Sequence, residues 1–555
     1  MNNEAMRTWA WAAALVGSAC VGPLDPAERP NDPIGPQMGS SEPSAPSDAQ
    51  PDVQEGCDAP WDGIGTPIRR LTRAQLSNSL RALADVGEIP VHALPADKAG
   101  DGYLWAGAAS ALFVEKMADL SQGYARAAAG ILGERFGCED ESCLPTLVEV
   151  LGGEAWRRPL TTEERQQLLT LATRAGPEVE TSIEAVVQAL VESPFFLYHL
   201  ELPPAEAVPG EVFALDDLAL ANRLSYFLWA SPPDAPLVEA ARAGRLRTNE
   251  GLREQALRML DDQRAQVGFR NFYRDWLGLA SLDALTKSEA LYPDFDATTA
   301  ADLRASLEAW LDDLFVRDAS LQEMFTSSKV FLNARLAELL DLDISGLSET
   351  LTAVELDSSR RSGLLTQPAL LALLAKPDET DPIHRGAIIR ERFLCQLLPE
   401  FPENLEEAVP PPADGTKTTR QRYETQLTEP ACSGCHQLFN PIGFAFEHYD
   451  PVGAWRDTDN GLPVDATSDV VATRDLDGIY PDAVALLRSM SESFEVQGCL
   501  LRHLYRYALQ RSDKTSDQCR LDAMTRQLRA KGLTLRSAMV SVATSEAFRL
   551  QELPQ

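Results

Sequence analysis

The sequence lacks several features that would assign it to a familiar class of protein. No stretch in the body of the chain reaches about 18 uninterrupted apolar residues, so no integral membrane span is expected. Basic residues are scarce, because 50 Lys and Arg face 83 Asp and Glu, which gives a net charge of −33. Such a chain repels a phosphate backbone, which argues against nucleic acid as a partner. There is also no glycine-rich phosphate loop, no G-x-S-x-G and no H-E-x-x-H, so no residue is identified as catalytic.

Patterns typical of β-strands are scarce as well, the best being the short stretch "DVVATRDL". Helical patterns fill most of the chain from residue 61 onward, and two begin with the spacing of a capping box: Thr72 with Gln75, and Thr161 with Glu164. A chain of 555 residues is long for one hydrophobic core. The predicted fold class is therefore mainly α, with multi-domain helical bundles and little or no sheet.

The N-terminus has the pattern of an export signal. Arg7 precedes the apolar run "TWAWAAALVGSAC", which is too short to cross a bilayer. The end of this run at Cys20 resembles a bacterial lipobox, although Gly17 stands where that motif usually has Leu. We expect residues 1–20 to be a signal peptide of the lipoprotein type, with Cys20 as the lipidated residue. Plain secretion and a cytosolic apolar N-terminus are the alternatives.

Residues 21–60 are rich in Pro and Ser and nearly free of large apolar side chains. Such a segment cannot bury enough surface to offset its chain entropy, so we predict a disordered tether. A lipid anchor followed by a tether indicates a location in the cell envelope, either in the periplasm or at the outer membrane or cell surface. The membrane would then be contacted through the lipid.

The nine cysteines divide into three groups. Without Cys20 and the two cysteines of a C-x-x-C-H motif, six remain, and an even number in an exported chain indicates disulfides. One pair brackets a short acidic loop, another flanks one helix and the turn after it, and a third follows only by elimination. Buried free thiols are the alternative for each pair. The predicted pairs are, in that order, Cys138 with Cys143, Cys499 with Cys519, and Cys57 with Cys395.

The stretch "ACSGCHQLFNPIGFAFEHYDPVGAWR" begins with C-x-x-C-H at Cys432, Cys435 and His436. Two thiols three positions apart match the two vinyl groups of haem, and the adjacent imidazole can then bind the iron as its proximal ligand. An exported chain also reaches the compartment in which c-type haem is attached. The motif therefore predicts one covalent haem c on these three residues, in a c-type-haem-like segment of the helical fold.

Other interpretations of the motif have less support. A structural zinc site needs about four ligands, and the chain has no second C-x-x-C. A redox dithiol is expected after a strand in an α/β unit, which the patterns do not predict. A simple disulfide between Cys432 and Cys435 stays open. The sixth iron ligand is unknown from the sequence, and the candidates are His448, Met490 and His503.

The motif segment resembles the signature of a family of exported proteins known from planctomycetes and myxobacteria, which carry five domains of unknown function in tandem. Other stretches resemble the same string in the same order, including "PIRRLTRAQLSNSLRAL", "AWRRPLTTEERQQLL", "LDDLALANRLSYFLWASPPD" and "CLLRHLYRYALQRSD". The implied domains are 1587-like at 61–135, 1595-like at 145–205, 1592-like at 212–342, 1588-like with the C-x-x-C-H motif at 355–460, and 1585-like at 478–550.

The resemblance implies an exported, planctomycete-type cytochrome c-like protein but no defined reaction. Two residues depart from the family pattern. The family often has a histidine shortly before the first motif cysteine, where this chain has Gln426, and an aspartate where this chain has Asn440.

These observations lead to one main hypothesis and two alternatives. The main hypothesis is an exported, lipid-anchored monohaem c-type redox protein with an unidentified redox partner protein. It would act in electron transfer or as a redox subunit of an envelope complex. The first alternative is a haem-dependent peroxidase or oxygenase, so whether the protein is an enzyme stays open. The second alternative is a non-haem, lipid-anchored scaffold or binding protein.

Overall fold

The structure, a computed structural model, describes residues 68–100, 103–105, 109–204, 206–398, 415–429 and 432–553. The predicted signal peptide and tether, with Cys20 and Cys57, lie outside the described residues. In the part of the chain that is described, no helix has both the length and the apolar character needed to cross a membrane.

Helices dominate the described chain, which confirms the predicted mainly α class. The first group of helices comprises α1 (Arg73–Leu83), α2 (Ala111–Phe136), α3 (Leu144–Trp156), α4 (Thr162–Ala175), α5 (Val179–Glu192) and α6 (Pro194–Leu197). The next group comprises α7 (Asp217–Trp229), α8 (Ala235–Arg242), α9 (Asn249–Leu260), α10 (Arg264–Leu277), α11 (Ala297–Val316), α12 (Leu321–Thr326) and α13 (Ala334–Leu339).

The remaining helices surround and follow the C-x-x-C-H motif. They are α14 (Pro368–Leu373), α15 (Pro382–Ile388), α16 (Thr419–Tyr423), α17 (Thr425–Thr428), α18 (Ser433–Phe444), α19 (Ala483–Glu492), α20 (Phe494–Leu509), α21 (Thr515–Lys531), α22 (Leu535–Ala543) and α23 (Glu546–Arg549). A π-helical turn, Ile389–Phe393, continues α15.

Local sequence signals account for many helix ends. The predicted capping boxes are confirmed, because Thr72 and Thr161 each accept from the backbone three residues on, where Gln75 and Glu164 reach back. Pro194 lacks the N–H that would continue α5, and it instead occupies the first turn of α6.

The strands are short and form only antiparallel pairs. In chain order they are β1 (Arg69–Arg70), β2 (Lys98–Gly100), β3 (Tyr103–Trp105), β4 (Tyr198–His199), β5 (Val212–Ala214), β6 (Lys329–Leu332), β7 (Thr352–Glu355), β8 (Thr458–Asp459), β9 (Leu462–Pro463), β10 (Ser468–Val470), β11 (Gly478–Tyr480) and β12 (Leu550–Glu552). The pairs are β1 with β4, β2 with β3, β5 with β12, β6 with β7, β8 with β9, and β10 with β11. The stretch "DVVATRDL" thus contributes only the end of β10.

The described residues bury their apolar side chains in two clusters. The first extends from Leu71 to Leu197 and includes Tyr226 of α7. The second extends from Phe213 to Phe548 and contains the helices around the motif. Tyr226 links the two regions, since its hydroxyl lies 2.8 Å from Oγ of Ser79 on α1.

Strand β12, at the end of the described chain, pairs with β5, where the second cluster begins. This pairing joins the two ends of that cluster. Arg223 on α7 strengthens this closure, because its guanidinium donates at 2.8 Å to the carbonyl oxygen of Phe548, 325 residues later. The same guanidinium pairs with Glu201 and is almost fully buried. Sequence-distant segments therefore share one core around the motif.

The disulfides confirm one predicted pair and correct the others. Cys138 and Cys143 are joined, with an S–S distance of 2.01 Å. Cys499 is joined to Cys395 at 2.03 Å, so the predicted pairs Cys499–Cys519 and Cys57–Cys395 are wrong. The reason is tertiary packing, because α20 carries Cys499 against the π-helical turn that precedes Cys395. Cys519 is itself disulfide-bonded, so its participation in a bridge was predicted correctly but its partner was not.

Candidate functional site

The C-x-x-C-H motif occupies the start of α18. Cys432 is the N-cap residue, and its carbonyl oxygen accepts from the backbone N–H of Cys435 at 3.2 Å and of His436 at 3.1 Å. Both cysteines are free and partly exposed, whereas the His436 side chain is only 8% exposed. Every other cysteine in the described ranges is in a disulfide.

Two glycines set the position of α18 by allowing α15 to cross it closely. A Cβ on Gly386 would collide with the carbonyl oxygen of Phe439, and a Cβ on Gly443 would collide with that of Pro382. Each helix therefore presents a glycine to the backbone of the other. This contact holds the motif helix on the second core.

A chain of side-chain amides orients His436. Its Nδ1 lies 3.1 Å from Oδ1 of Asn440, one turn later on α18. An amide oxygen only accepts, so in the neutral ring Nδ1 carries the proton and Nε2 keeps its lone pair. The Asn440 amide nitrogen donates in turn to Oε1 of Gln426 on α17 at 3.1 Å. Among the described residues, His436 has no hydrogen-bond partner for Nε2.

The two residues that depart from the family pattern are thus in direct contact. Asn440 is 0% exposed and Gln426 is 4% exposed, so their hydrogen bond is shielded from water. The two side chains form a neutral amide pair behind the imidazole. The sequence identified both departures, but their contact depends on how α17 packs on α18.

The segment after α18 serves as framework. Arg385 on α15 donates to the carbonyl oxygens of Phe446 at 2.9 Å and Tyr449 at 3.2 Å. Arg456 pairs with Glu447 at 3.0 Å, and burial raises the pKa of this carboxyl group despite the nearby guanidinium. The motif helix is therefore followed by a loop held by the buried Arg385 and the partly buried Arg456.

The three candidates for a sixth ligand have other contacts. His448 stacks on Trp455 with a centroid distance of 4.4 Å, and its Nδ1 lies 2.9 Å from the backbone oxygen of Arg456. Met490 is 0% exposed in the second cluster. His503 is 1% exposed and lies against the Cys395 sulfur. In the described chain, none of the three makes a hydrogen bond or ring contact with His436.

The donor set of the motif fits covalent haem better than a single metal ion. A metal ion needs convergent ligand atoms, and Cys432, Cys435 and His436 are not among the groups whose ligand atoms lie within 4.8 Å of one another. Haem instead takes its thioethers at the porphyrin edge and its axial ligand at the centre. Cys432 and Cys435 are not bonded to each other in the described structure.

Sequence reasoning missed a second cluster. In the described part of the chain, Cys395, Cys499 and His503 are the one group of at least three Cys, His, Asp or Glu whose ligand atoms lie within 4.8 Å of one another. No local signal joins residues 104 positions apart, so this cluster is visible only in the fold.

Comparison with known families identifies the chain's architecture. No curated protein and no solved structure matches it. Five family models, each described as a protein of unknown function, match in tandem: DUF1587 at residues 69–137, DUF1595 at 143–201, DUF1592 at 215–342, DUF1588 at 361–459 and DUF1585 at 480–548. The DUF1588 match, whose short name is PSCyt3, contains the C-x-x-C-H motif. The chain therefore belongs to the multi-domain family that carries these five domains in tandem, as its motifs predicted.

Proposed function

We propose that this protein is an exported monohaem c-type redox protein that transfers electrons in the cell envelope. One observation carries the proposal: Cys432 and Cys435 are free in a chain whose other described cysteines are oxidised to disulfides. Two neighbouring thiols in an exported protein are expected to form a disulfide. Two thiols that attach haem are expected to stay unbridged, because each forms a bond to the haem instead.

The residues of the motif have distinct roles in this proposal. The Cys432 and Cys435 thiols would each add across one vinyl group, forming an S–C bond and leaving the thiol proton on the other vinyl carbon. His436 would bind the iron through Nε2, because Asn440 holds Nδ1. The haem would supply a one-electron ferric–ferrous couple.

The surroundings suit electron exchange with another protein. Gly434 and Gln437 are exposed on the first turns of α18, so a haem bound there would lie near the surface. The net charge of −33 favours a basic redox partner protein, because complementary fields speed encounter. This partner is unidentified, and the protein would be a carrier or a redox subunit of an envelope complex.

An optical spectrum of the exported protein, made with the haem-attachment machinery, tests the proposal. We expect c-type bands and haem staining that survives denaturation, with both lost in the Cys432→Ala/Cys435→Ala variant. The matched control is Cys138→Ser/Cys143→Ser, which also removes two cysteines and is expected to keep the haem. Wild-type protein without c-type bands would refute the proposal and favour the non-haem scaffold.

The same sample distinguishes a carrier from an enzyme. A carrier is expected to be six-coordinate and low-spin, with no change in the reduced spectrum under carbon monoxide. A high-spin ferric iron that binds carbon monoxide when reduced, and turns over with peroxide, would instead support the peroxidase or oxygenase alternative.

The lipid anchor is tested separately. We expect labelled palmitate to be incorporated into the wild-type chain and to be absent from Cys20→Ser, which should leave the membrane fraction. Equal membrane retention of the two chains would overturn the anchor without affecting the haem proposal.

A further inference from the structure

We propose that Cys395, Cys499 and His503 form a redox-gated zinc site, which is closed as a disulfide and opens to bind Zn²⁺ when the disulfide is reduced. This inference is independent of the haem proposal, because it concerns a different cluster on a different helix. It rests on the position of the histidine, its hydrogen bonding, the nearby charges and the access to the sulfur atoms.

The histidine already lies where a zinc ligand would be. Nε2 of His503 is 3.5 Å from Sγ of Cys395. In tetrahedral zinc, with Zn–S of about 2.3 Å and Zn–N of about 2.0–2.1 Å, the sulfur and nitrogen ligands are about 3.6 Å apart. The sulfur of Cys499 would have to separate from that of Cys395 to about 3.8 Å, which breaking the S–S bond permits.

The ring of His503 also has the hydrogen bonding of a metal ligand. It hydrogen-bonds to the backbone of Arg392, besides the contact of Nε2 with sulfur. A ligating histidine commonly donates its other ring N–H to a carboxylate or a backbone carbonyl, which fixes its tautomer and orientation. Trp276 packs against the ring with a centroid distance of 5.9 Å and limits its rotation.

The charges nearby suit two thiolates. The guanidinium groups of Arg506, Arg392 and Arg502 all act on the ring of His503, so they lie close to the cluster. The same positive charges stabilise thiolates, which are the form of cysteine that binds metal. Two thiolates would balance one Zn²⁺, so the occupied cluster adds no net charge to the core.

The cluster is reached from solvent on the side of Cys395, which is partly exposed, whereas Cys499 is 2% exposed. Cys395 and Cys499 line a surface cavity of about 120 Å³, together with Arg474, Arg502 and Asp522. His503 is 1% exposed and is held in the core. A reductant or an ion can therefore approach from the sulfur side, and a water from the cavity can complete the coordination.

The switch requires an external dithiol reductant, such as a reduced dithiol oxidoreductase of the envelope. Two electrons from that dithiol reduce the Cys395–Cys499 bond to two thiols, and the reductant becomes a disulfide. Binding of Zn²⁺ then forms two Zn–S bonds and one Zn–N bond and releases the two thiol protons.

A metal titration of the reduced, folded chain tests the site. The background is Cys432→Ala/Cys435→Ala, which removes the motif thiols as competing ligands. The protein is reduced with a phosphine, desalted without oxygen and titrated with Co²⁺ and then Zn²⁺. We expect one equivalent of Co²⁺ with a thiolate-to-cobalt charge-transfer band, displacement by Zn²⁺, and no band in the oxidised protein.

Variants in the same background assign the ligands. His503→Asn is expected to weaken binding by at least about 10-fold, since it removes one of three ligands. Cys138→Ser/Cys143→Ser is the matched control and should leave the titration unchanged. A reduced chain without the band, or a His503→Asn variant of unchanged affinity, would overturn the proposal.

A second measurement leaves all three proposed ligands in place, so its result does not depend on whether a ligand variant folds. In the reduced background protein, Zn²⁺ is expected to protect Cys395 and Cys499 from iodoacetamide, while Cys138 and Cys143 are alkylated with or without the metal. Peptide mass spectrometry resolves the four sites. Equal alkylation of all four in the presence of Zn²⁺ would contradict the site.

Discussion

The amide oxygen of Asn440 accepts a hydrogen bond from Nδ1 of His436 at 3.1 Å. This contact makes a neutral amide, rather than a carboxylate, the partner of the proposed haem ligand. Gln426 fixes the orientation of the Asn440 amide, because the Gln426 oxygen accepts a hydrogen bond from the Asn440 amide nitrogen. The two departures from the family pattern thus act as one unit behind His436.

Asn440→Asp is expected to lower the midpoint potential of the haem. A carboxylate at Nδ1 increases electron donation from His436 and favours the ferric state. The expected change is tens of millivolts, since a tenfold shift in a one-electron equilibrium is about 59 mV. Gln426 can rotate its amide to donate to the new carboxylate, so folding should be retained. The measurement is a spectroscopic redox titration.

Gln437→Glu is the matched control for this prediction. It adds the same charge to the same helix, but at an exposed position whose amide contacts the backbone oxygen of Leu427 instead of His436. Because solvent screens a charge at this exposed position, Gln437→Glu should change the midpoint potential only slightly. Equal shifts in both variants would show that net charge, and not the Nδ1 contact, sets the potential.

Gly386→Ala and Gly443→Ala are each expected to destabilise the protein. The added methyl group meets a backbone carbonyl of the facing helix, which cannot move aside as a side chain can. Overpacking of this kind costs about 1–3 kcal/mol, more than the helix propensity gained from alanine. Urea unfolding of the haem-free protein, followed by circular dichroism, should show a lower midpoint.

Gly434→Ala provides the comparison within α18. Apart from its chain neighbours and the backbone of its own helix, no atom lies within 4 Å of the Cβ it would add, so only helix propensity changes. We expect unchanged or slightly higher stability, by up to about 1 kcal/mol. A loss as large as that of Gly443→Ala would mean that close helix crossing is not the cause.

Loss of the Cys395–Cys499 bridge is expected to reduce stability more than loss of Cys138–Cys143. The bridges span 104 and 5 residues, and the loop-entropy relation gives about 4.7 and about 2 kcal/mol. Paired serine variants at each site, unfolded in urea without reductant, measure the difference. Non-reducing peptide maps should show Cys395 linked to Cys499, and a Cys499–Cys519 peptide would contradict the described pairing.

Acid is expected to destabilise the native protein through His503. Burial lowers the pKa of this imidazole in the folded state, so the unfolded chain binds its proton first as the pH falls below about 6.5. Stability contributed by the neutral ring is therefore present above that pH and is lost as the pH decreases. One titrating group can change the free energy of unfolding by at most about 1.4 kcal/mol per pH unit.

The test compares slopes of unfolding free energy against pH between 7.5 and 5.5, in oxidised protein. His503→Asn should flatten the slope, even if it lowers stability at every pH. His92→Asn, at an exposed histidine, is the control and should retain the wild-type slope. A wild-type slope in His503→Asn would assign the acid sensitivity to other groups.

Short sequence patterns predicted the features that depend only on residues close together in the chain. The capping boxes at Thr72 and Thr161 and the bridge between Cys138 and Cys143 each join residues that lie within a few positions of one another. The partner of Cys499 was missed because α20 brings it to Cys395 by packing, while Cys519 is nearer only in sequence.

The candidate site shows the same division. The sequence identified Cys432, Cys435 and His436 and noted that Gln426 and Asn440 are unusual. It could not show that these two amides hydrogen-bond behind the imidazole, since that depends on how α17 packs against α18. The proximity of His503 to a disulfide was equally inaccessible, because it combines helix α20 with the turn after α15.

If the chain is exported as proposed, the pairing of β5 with β12 sets when the second core can close. A chain that emerges from a translocation channel with its N-terminus first presents Val212–Ala214 long before Leu550–Glu552 can reach it. The second core therefore stays incomplete while α18 emerges, and its final closure follows that of the motif helix. In the exported protein that we propose, an enzyme that modifies Cys432 and Cys435 as they emerge would meet them before β12 has paired with β5.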